Sequence, residues 1–231
     1  MIEGKSILAI IPARGGSKGI PKKNVRLLAG KPLIAWTIEE AKKSKYLDRV
    51  IVSSDDDEII SVSKMFKCEV PFRRPVELAG DSSTSVEVID HALKTLDREY
   101  DFFILLQLTS PLRTTEHIDE AIELCVSSKA KGCVSVSEVT KPIQWTYTLN
   151  FSRFIKPIIN KDVQRRQDAD KQYYLNGSIY ISETEHFHKT HSLINANTIG
   201  YLMDKESSID IDDMADFNIA EYLMLKRLKE K

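Results

Sequence analysis

Apolar and polar positions follow a regular rhythm along most of the chain. Ser6–Pro12 (SILAIIP) is a continuous apolar run of strand length, the pattern of a strand covered on both faces. Lys31–Ser44 places apolar residues at 33, 34, 36, 38 and 41 with charges between them, which predicts an amphipathic helix opened by Pro32. Arg49–Ser53 (RVIVS) predicts a second buried strand and Asp56–Phe66 a second helix, capped by the run of aspartates. A short strand at Glu69–Phe72 and a helix over Val86–Leu96, behind the cap-rich Asp81–Ser85, come next. Phe102–Leu108 (FFILLQL) is the most apolar strand; Pro111, a helix over about 116–127 and a strand at Cys133–Ser137 follow it. Strands and helices alternating at this spacing predict an α/β fold with a mostly parallel sheet and right-handed crossovers.

The rhythm breaks near residue 140. Residues 141–176 are polar, aromatic and irregular, with Pro142, Trp145, Tyr147, Arg165, Arg166, Tyr173 and Tyr174. The α/β pattern resumes with strands at Ser178–Ile181 and Thr198–Met203 and a helix from about Met214 to Lys229. The predicted organisation is therefore one α/β domain, 1–140 with 177–231, interrupted by an arm over 141–176. A dimerisation arm is one reading of that insertion; a surface loop is the alternative, although 36 residues is long for one.

Composition narrows the classes. The 231 residues are 42% hydrophobic and 29% charged, which excludes a disordered, collagen-like or low-complexity chain. A formal charge of −1 argues against a general nucleic-acid binder. The longest apolar run, Ile7–Ala13, is far too short to span a membrane, and Met1–Lys5 carries no secretory pattern. Cys68, Cys125 and Cys133 show no zinc or CxxC spacing, so a reducing cytoplasm and three buried thiols are expected.

Charge and glycine are unevenly placed. Residues 4–38 hold seven Lys or Arg and no acid, whereas Asp204–Glu221 carries seven acids and one Lys. Glycine is scarce, nine in all, yet three of the nine fall within Gly15–Gly19, directly after the first strand. A loop there lies beyond the carboxyl end of a strand, where open α/β sheets bind ligands. Glycine lets backbone N–H groups approach phosphate oxygens, and Arg14, Lys18, Lys22 and Lys23 neutralise charge. The spacing matches neither GxxxxGK[ST] nor GxGxxG followed at once by a helix.

The stretch IIPARGGSKGIPKKNVRLLAGKPLIAWTI resembles the signature of the acylneuraminate cytidylyltransferases, which make CMP-sialic acids. The resemblance recurs in order at RVIVSSDDDEI (49–59), RRPVELAGDSSTS (73–85), LLQLTSPLRT (105–114), RRQ (165–167), NGSIYI (176–181) and SIDIDD (208–213), and so covers nearly the whole chain. It implies a Rossmann-like, GT-A-like three-layer sandwich, a homodimer whose arm closes part of the partner's sugar site, and transfer of CMP from CTP to a nonulosonic acid with release of pyrophosphate. By the same resemblance Arg14, Ser17, Lys18 and Lys23 hold the triphosphate, with Lys23 nearest the α-phosphate, and Asn24, Arg74 and Ser85 contact the nucleotide. Arg14, Lys23 and Asp212 are then the expected catalytic groups.

For Arg74 a surface ion pair is the competing role, and for Ser85 a helix cap. Gln107, a lone amide leaving an apolar strand, is expected to reach the sugar acid, with Ser110 on the site wall and Arg113 on the sugar side. The chain reads QLTSPLR where the family has QPTSPLR, a change at Leu108 that removes no functional group. Asp210 and Asp212 alternate with Ile209 and Ile211, so both carboxylates share one side and suit Mg²⁺, with Mn²⁺ able to substitute. Asp213 fits the cap of the last helix better than either, and Asp55–Asp57 read as caps of the second helix.

On the sugar side, Arg166 matches a basic residue near the sugar carboxylate and Tyr180 a tyrosine of the pocket. Sialic-acid members have a Lys near KPIQW and an Arg just before NG, where this chain has Gln144-Trp145 and Tyr173-Tyr174-Leu175. A more apolar, aromatic pocket is expected to suit a deoxy, doubly N-acylated sugar such as legionaminic acid. The competing functions are a CMP-KDO synthetase, whose first loop usually lacks RGGSKG, and a non-catalytic nucleotide-binding regulator, against which the intact Arg14, Lys23, Gln107, Asp210 and Asp212 argue.

Overall fold

The computed structural model describes residues 2–17, 19–160 and 163–230. β1 (Ile7–Pro12) leads through a long loop into a two-residue-strand hairpin, β2 (Leu27–Leu28) and β3 (Lys31–Pro32), and then α1 (Leu33–Lys43). Pro32 is the N-cap of α1 and not its first residue, because it is held in β3 opposite Leu27. β4 (Arg49–Ser53), α2 (Asp57–Met65), α3 (Ser85–Thr95), β5 (Phe102–Leu106), α4 (Thr115–Ser127) and β6 (Gly132–Glu138) follow the predicted order. The strand expected at Glu69–Phe72 is reduced to isolated bridges, Ile51 to Glu69 and Ser54 to Arg73.

The arm contains a small antiparallel hairpin, β7 (Tyr147–Leu149) with β8 (Ile155–Pro157). Trp145 Nε1 ties it down by donating to the Val163 carbonyl at 2.6 Å. β9 (Tyr173–Glu183) begins inside the stretch expected to be insertion, so Tyr173–Asn176 belong to a sheet strand. α5 (Thr184–Thr190), unforeseen in a segment with one apolar residue, is followed by β10 (Thr198–Leu202) and α6 (Met214–Lys229).

The six-stranded sheet has the order β10-β6-β9-β5-β1-β4, and only β9 runs antiparallel to its neighbours. One face (Ile7, Ala9, Ile11, Ile104, Leu106, Ile179) packs under helices α1, α2, α4 and α6, and the other (Leu8, Ile10, Phe103, Leu105) under α3 and α5. This is the three-layer, mostly parallel sandwich expected of a Rossmann-like nucleotidyltransferase. The three cysteines are buried and free, and burial pushes each thiol up to about 12. No helix of the described residues is long and apolar enough to cross a membrane.

Candidate active site

The loop after β1 is fixed from both sides. Ala13 N–H donates to the Ser53 carbonyl at 2.9 Å, and Gly15 N–H to Asp55 Oδ1 at 3.2 Å. Asn24 is buried and donates from Nδ2 to the Arg14 carbonyl at 2.8 Å, closing the loop on itself. Together these bonds give a cleft of about 440 Å³ that gathers Arg14, Ser17, Lys23, Asn24, Arg74, Ser85, Gln107 and Asp212 at the carboxyl edge of the parallel strands. Lys18 lies outside the described residues.

The far end of the chain completes this wall. Lys23 Nζ donates to the Ile211 carbonyl at 2.6 Å, and Ile211 N–H donates to the Thr109 carbonyl at 2.9 Å. Ile211 is fully buried while Asp210 and Asp212 stand out to solvent, so the expected alternation holds, although the segment is extended and joins no sheet. A Cβ on Gly19 would lie 2.3 Å from the Asp212 carbonyl oxygen, so only glycine allows the loop and the acidic segment to pack this closely. Asp210, beside Gly177 (φ +77°), is open on one side but backed by protein. The lost hydration pushes its carboxyl above the ordinary range; repulsion from Asp212 adds to this, and a Thr109 hydrogen bond and Lys23 oppose it. Asp213 caps α6, accepting from Ala215 and Asp216 N–H groups.

Arg74 is not a surface ion pair. It is 4% exposed, and its Nε and one terminal nitrogen find no hydrogen-bond partner among the described residues. Burial lowers its pKa, opposed by Asp55 at 3.7 Å. Buried donors facing a cleft need an acceptor, and these are placed to take one from a bound ligand. The cap of α3 is Thr84, in a capping box with Glu87, so Ser85 is the first helical residue and its hydroxyl is not the cap. Among Asp55–Asp57, only Asp56 caps α2; Asp57 pairs with Arg73, and Asp55 joins the Gly15 loop to Arg74. Sequence does not reveal this linking role of Asp55, its one visible signal being an acid just past the second strand.

On the acceptor side, the side-chain amide of Gln107 has no protein partner among the described residues. Ser110 is fully buried with an unpartnered hydroxyl, and Leu108 is buried where the family has proline. Tyr180 is half-buried on β9, where burial and the charge of Asp210 raise its phenol. Neither Ser110 nor Tyr180 lines the cleft, and two further residues depart from expectation. Arg113 is buried beneath the cleft floor, held by the Gln107 and Ser178 carbonyls and the Thr37 hydroxyl, so it presents no group to a sugar. Arg166 sits on the arm in a separate cleft with Glu138 and Gln172 and is not brought to this site within one chain.

A cationic glycine loop over the carboxyl edge of a Rossmann-like sheet, facing an Asp-x-Asp segment, defines a nucleotidyltransferase. The chain belongs to the cytidylyltransferase family, whose model matches residues 8–229. It is 37% identical, over 97% of its length, to 54% of the N-acylneuraminate cytidylyltransferase of Escherichia coli, and spans about half the length of the first curated relatives it matches. It is also 39% identical to the CMP-N,N'-diacetyllegionaminic acid synthase of Legionella pneumophila, over 94% of this chain and 96% of that one. The pseudaminic acid cytidylyltransferase of Campylobacter jejuni is 32% identical over 94% and 95% of the two chains. Among solved structures, a CMP:2-keto-3-deoxy-manno-octonic acid synthetase complexed with CTP shares the fold, with a TM-score of 0.74, 16% identity and coverage of 96% and 99%.

Proposed function

We propose that this protein transfers CMP from CTP to the anomeric 2-hydroxyl of a nonulosonic acid and releases pyrophosphate. The observation that carries the reading is the meeting of Lys23 with Ile211, between Asp210 and Asp212, in the cleft that also holds Arg74. The acceptor oxygen forms a bond to the α-phosphorus as the bond to the pyrophosphate oxygen breaks, and the hydroxyl proton passes to solvent. Arg14 and Lys23 neutralise the charge that gathers on the α-phosphate and the leaving group, and Arg74 and Asn24 hold the nucleoside. Gln107, on the cleft wall, positions the acceptor, with Tyr180 beside Asp210, while Ser110 is sealed beneath the wall.

The donor set suits a divalent ion: two exposed carboxylates beside the cleft fit Mg²⁺, which keeps waters and takes phosphate oxygens. Asp210 and Asp212 would hold Mg²⁺, or Mn²⁺ in its place, and the ion supplies charge neutralisation when bound. The working form is a homodimer in a reducing cytoplasm, with Arg166 from the arm serving the other protomer's sugar carboxylate.

The acceptor is a legionaminic-type sugar. Half-exposed Tyr173, Tyr174 and Leu175 on β9 stand where sialic-acid members carry a basic residue, and this apolar, aromatic surface suits a deoxy, doubly N-acylated sugar. Pyrophosphate release measured with CTP and UTP against N,N'-diacetyllegionaminic acid, N-acetylneuraminic acid, pseudaminic acid and KDO tests each part. CTP and the legionaminic acid are expected to give the highest kcat/KM. Preference for KDO would favour the eight-carbon alternative, and release with none would favour a regulator.

A further inference from the structure

Strands β5 and β9 run paired as far as Leu106 and Ile179, keep one longer bond from Gln107 N–H to the Ser178 carbonyl at 3.3 Å, and then part. At this fork Arg113 donates from one terminal nitrogen to the Gln107 carbonyl and the Ser178 carbonyl, both at 2.9 Å. Its other terminal nitrogen donates to Thr37 Oγ1 on α1, also at 2.9 Å. The guanidinium is 1% exposed, and none of its hydrogen bonds among the described residues goes to a carboxylate. Burial pushes it down to about 9, with Glu40 opposing from a distance. An unpaired buried cation is expensive, and an apolar side chain of similar volume would fill the space at less cost. What an apolar chain cannot do is hold two diverging carbonyls in one plane against a helix.

Beyond the fork the β5 branch runs into the cleft, and the β9 branch runs toward Asp210. One branch carries the Gln107 side chain and, two residues on, Thr109, whose carbonyl holds Ile211. The other carries Ser178 toward Gly177, which lies against Asp210.

We infer that Arg113 is a positioning residue for acceptor binding: it clamps the β5–β9 fork to α1 and thereby aims the Gln107 amide. The inference rests on the function proposed above and adds a specific route by which a buried residue sets acceptor affinity.

Arg113→Lys keeps the charge but cannot reach both carbonyls and Thr37. With CTP and N,N'-diacetyllegionaminic acid, it is expected to raise the acceptor KM about tenfold while the CTP KM stays within about twofold. In a Gln107→Ala background the same substitution should add nothing to the acceptor KM, because the group it aims is gone. Equal changes for both substrates, or an undiminished increment in that background, would overturn the inference. Thr37→Val, which leaves Arg113 in place, serves as a second variant, with amide hydrogen exchange as a readout independent of turnover. Faster exchange confined to Gln107 and Ile211 supports the clamp, while uniform acceleration or no change rejects it. Should the wild type turn over none of the acids, the proposed reaction fails and exchange alone judges the clamp.

Discussion

Lys23 and Ile211, 188 positions apart, are joined by a 2.6 Å hydrogen bond from the lysine ammonium to the isoleucine carbonyl. The bond places a cation from the basic block at the centre of the acidic block. It holds the ammonium on the cleft wall, against the backbone of the segment that carries both carboxylates, so it is already placed for negative charge arriving there.

Lys23→Ala is therefore expected to act on the transition state more than on binding. The kcat should fall by about two to three orders of magnitude, as for loss of one preorganised donor, with the CTP KM changed far less. Initial rates of pyrophosphate release over a CTP range check this; a pure KM effect would place Lys23 in ground-state binding.

Asp212→Asn should abolish Mg²⁺-dependent turnover and leave the fold intact. Asp212 is exposed, and exposed substitutions usually shift stability by less than about 0.5 kcal/mol. A Mg²⁺ titration of activity beside a thermal melt separates the two effects, and near-normal turnover would refute the metal assignment.

Gly19→Ala tests the contact between the chain's two ends. The new methyl would overlap the Asp212 carbonyl, a backbone atom that cannot swing away. The loop and the acidic segment must separate, so the CTP KM is expected to rise at least about tenfold. The Tm should fall by only a few degrees, about what loss of ~1 kcal/mol gives in a domain this size. Titration calorimetry with CTP and a melt check both.

Much of this arrangement is written locally. α6 starts at Met214 as predicted because Asp213 and Asp216 form a capping box, a signal contained in four residues. β1 and β5 are legible because unbroken apolar runs can only be buried strands here. What is illegible depends on distant partners. Arg113 resembles a ligand-binding arginine, and nothing nearby in sequence announces that Ser178 and Thr37 will enclose it. Asp55 looks like one of three capping acids until Gly15 and Arg74 arrive beside it. The start of β9 was hidden because Tyr173–Leu175 are exposed and lack the buried-strand pattern.

His117 supplies a pH dependence. In the capping box of α4 its Nδ1 accepts the Thr114 N–H at 3.1 Å, which requires an unprotonated Nδ1. Burial lowers its pKa, with Asp204 opposing at 3.7 Å and Arg227 reinforcing. Below its ordinary value near 6.5 the unfolded chain holds more protons, so stability is complete above that pH and declines as pH falls toward the depressed folded value. The slope cannot exceed about 1.4 kcal/mol per pH unit for one proton. Denaturant melts across weakly acidic pH should show a flatter profile for His117→Gln, which keeps a cap-compatible side chain.

The arm makes the last prediction. Phe151 is fully exposed, and Phe154, Leu149 and Ile155 are each more than 60% exposed around the β7–β8 hairpin. These side chains lie outside both core clusters of the parent sheet. Contiguous apolar surface of this kind is retained where another surface covers it, and in a homodimer the second copy does so. Phe151→Asp with Phe154→Asp is therefore expected to shift the sedimenting species from a dimer to the 26.3 kDa monomer without lowering the Tm of the parent domain. Activity should fall as well, although no cleft residue is touched, because Arg166 would no longer reach the other protomer's site. Mixing Arg166→Ala with Asp212→Asn separates loss of the interface from loss of the arginine: exchange of subunits should regenerate one intact site per mixed dimer. A wild type that sediments as a monomer at all concentrations would remove the arm from the mechanism.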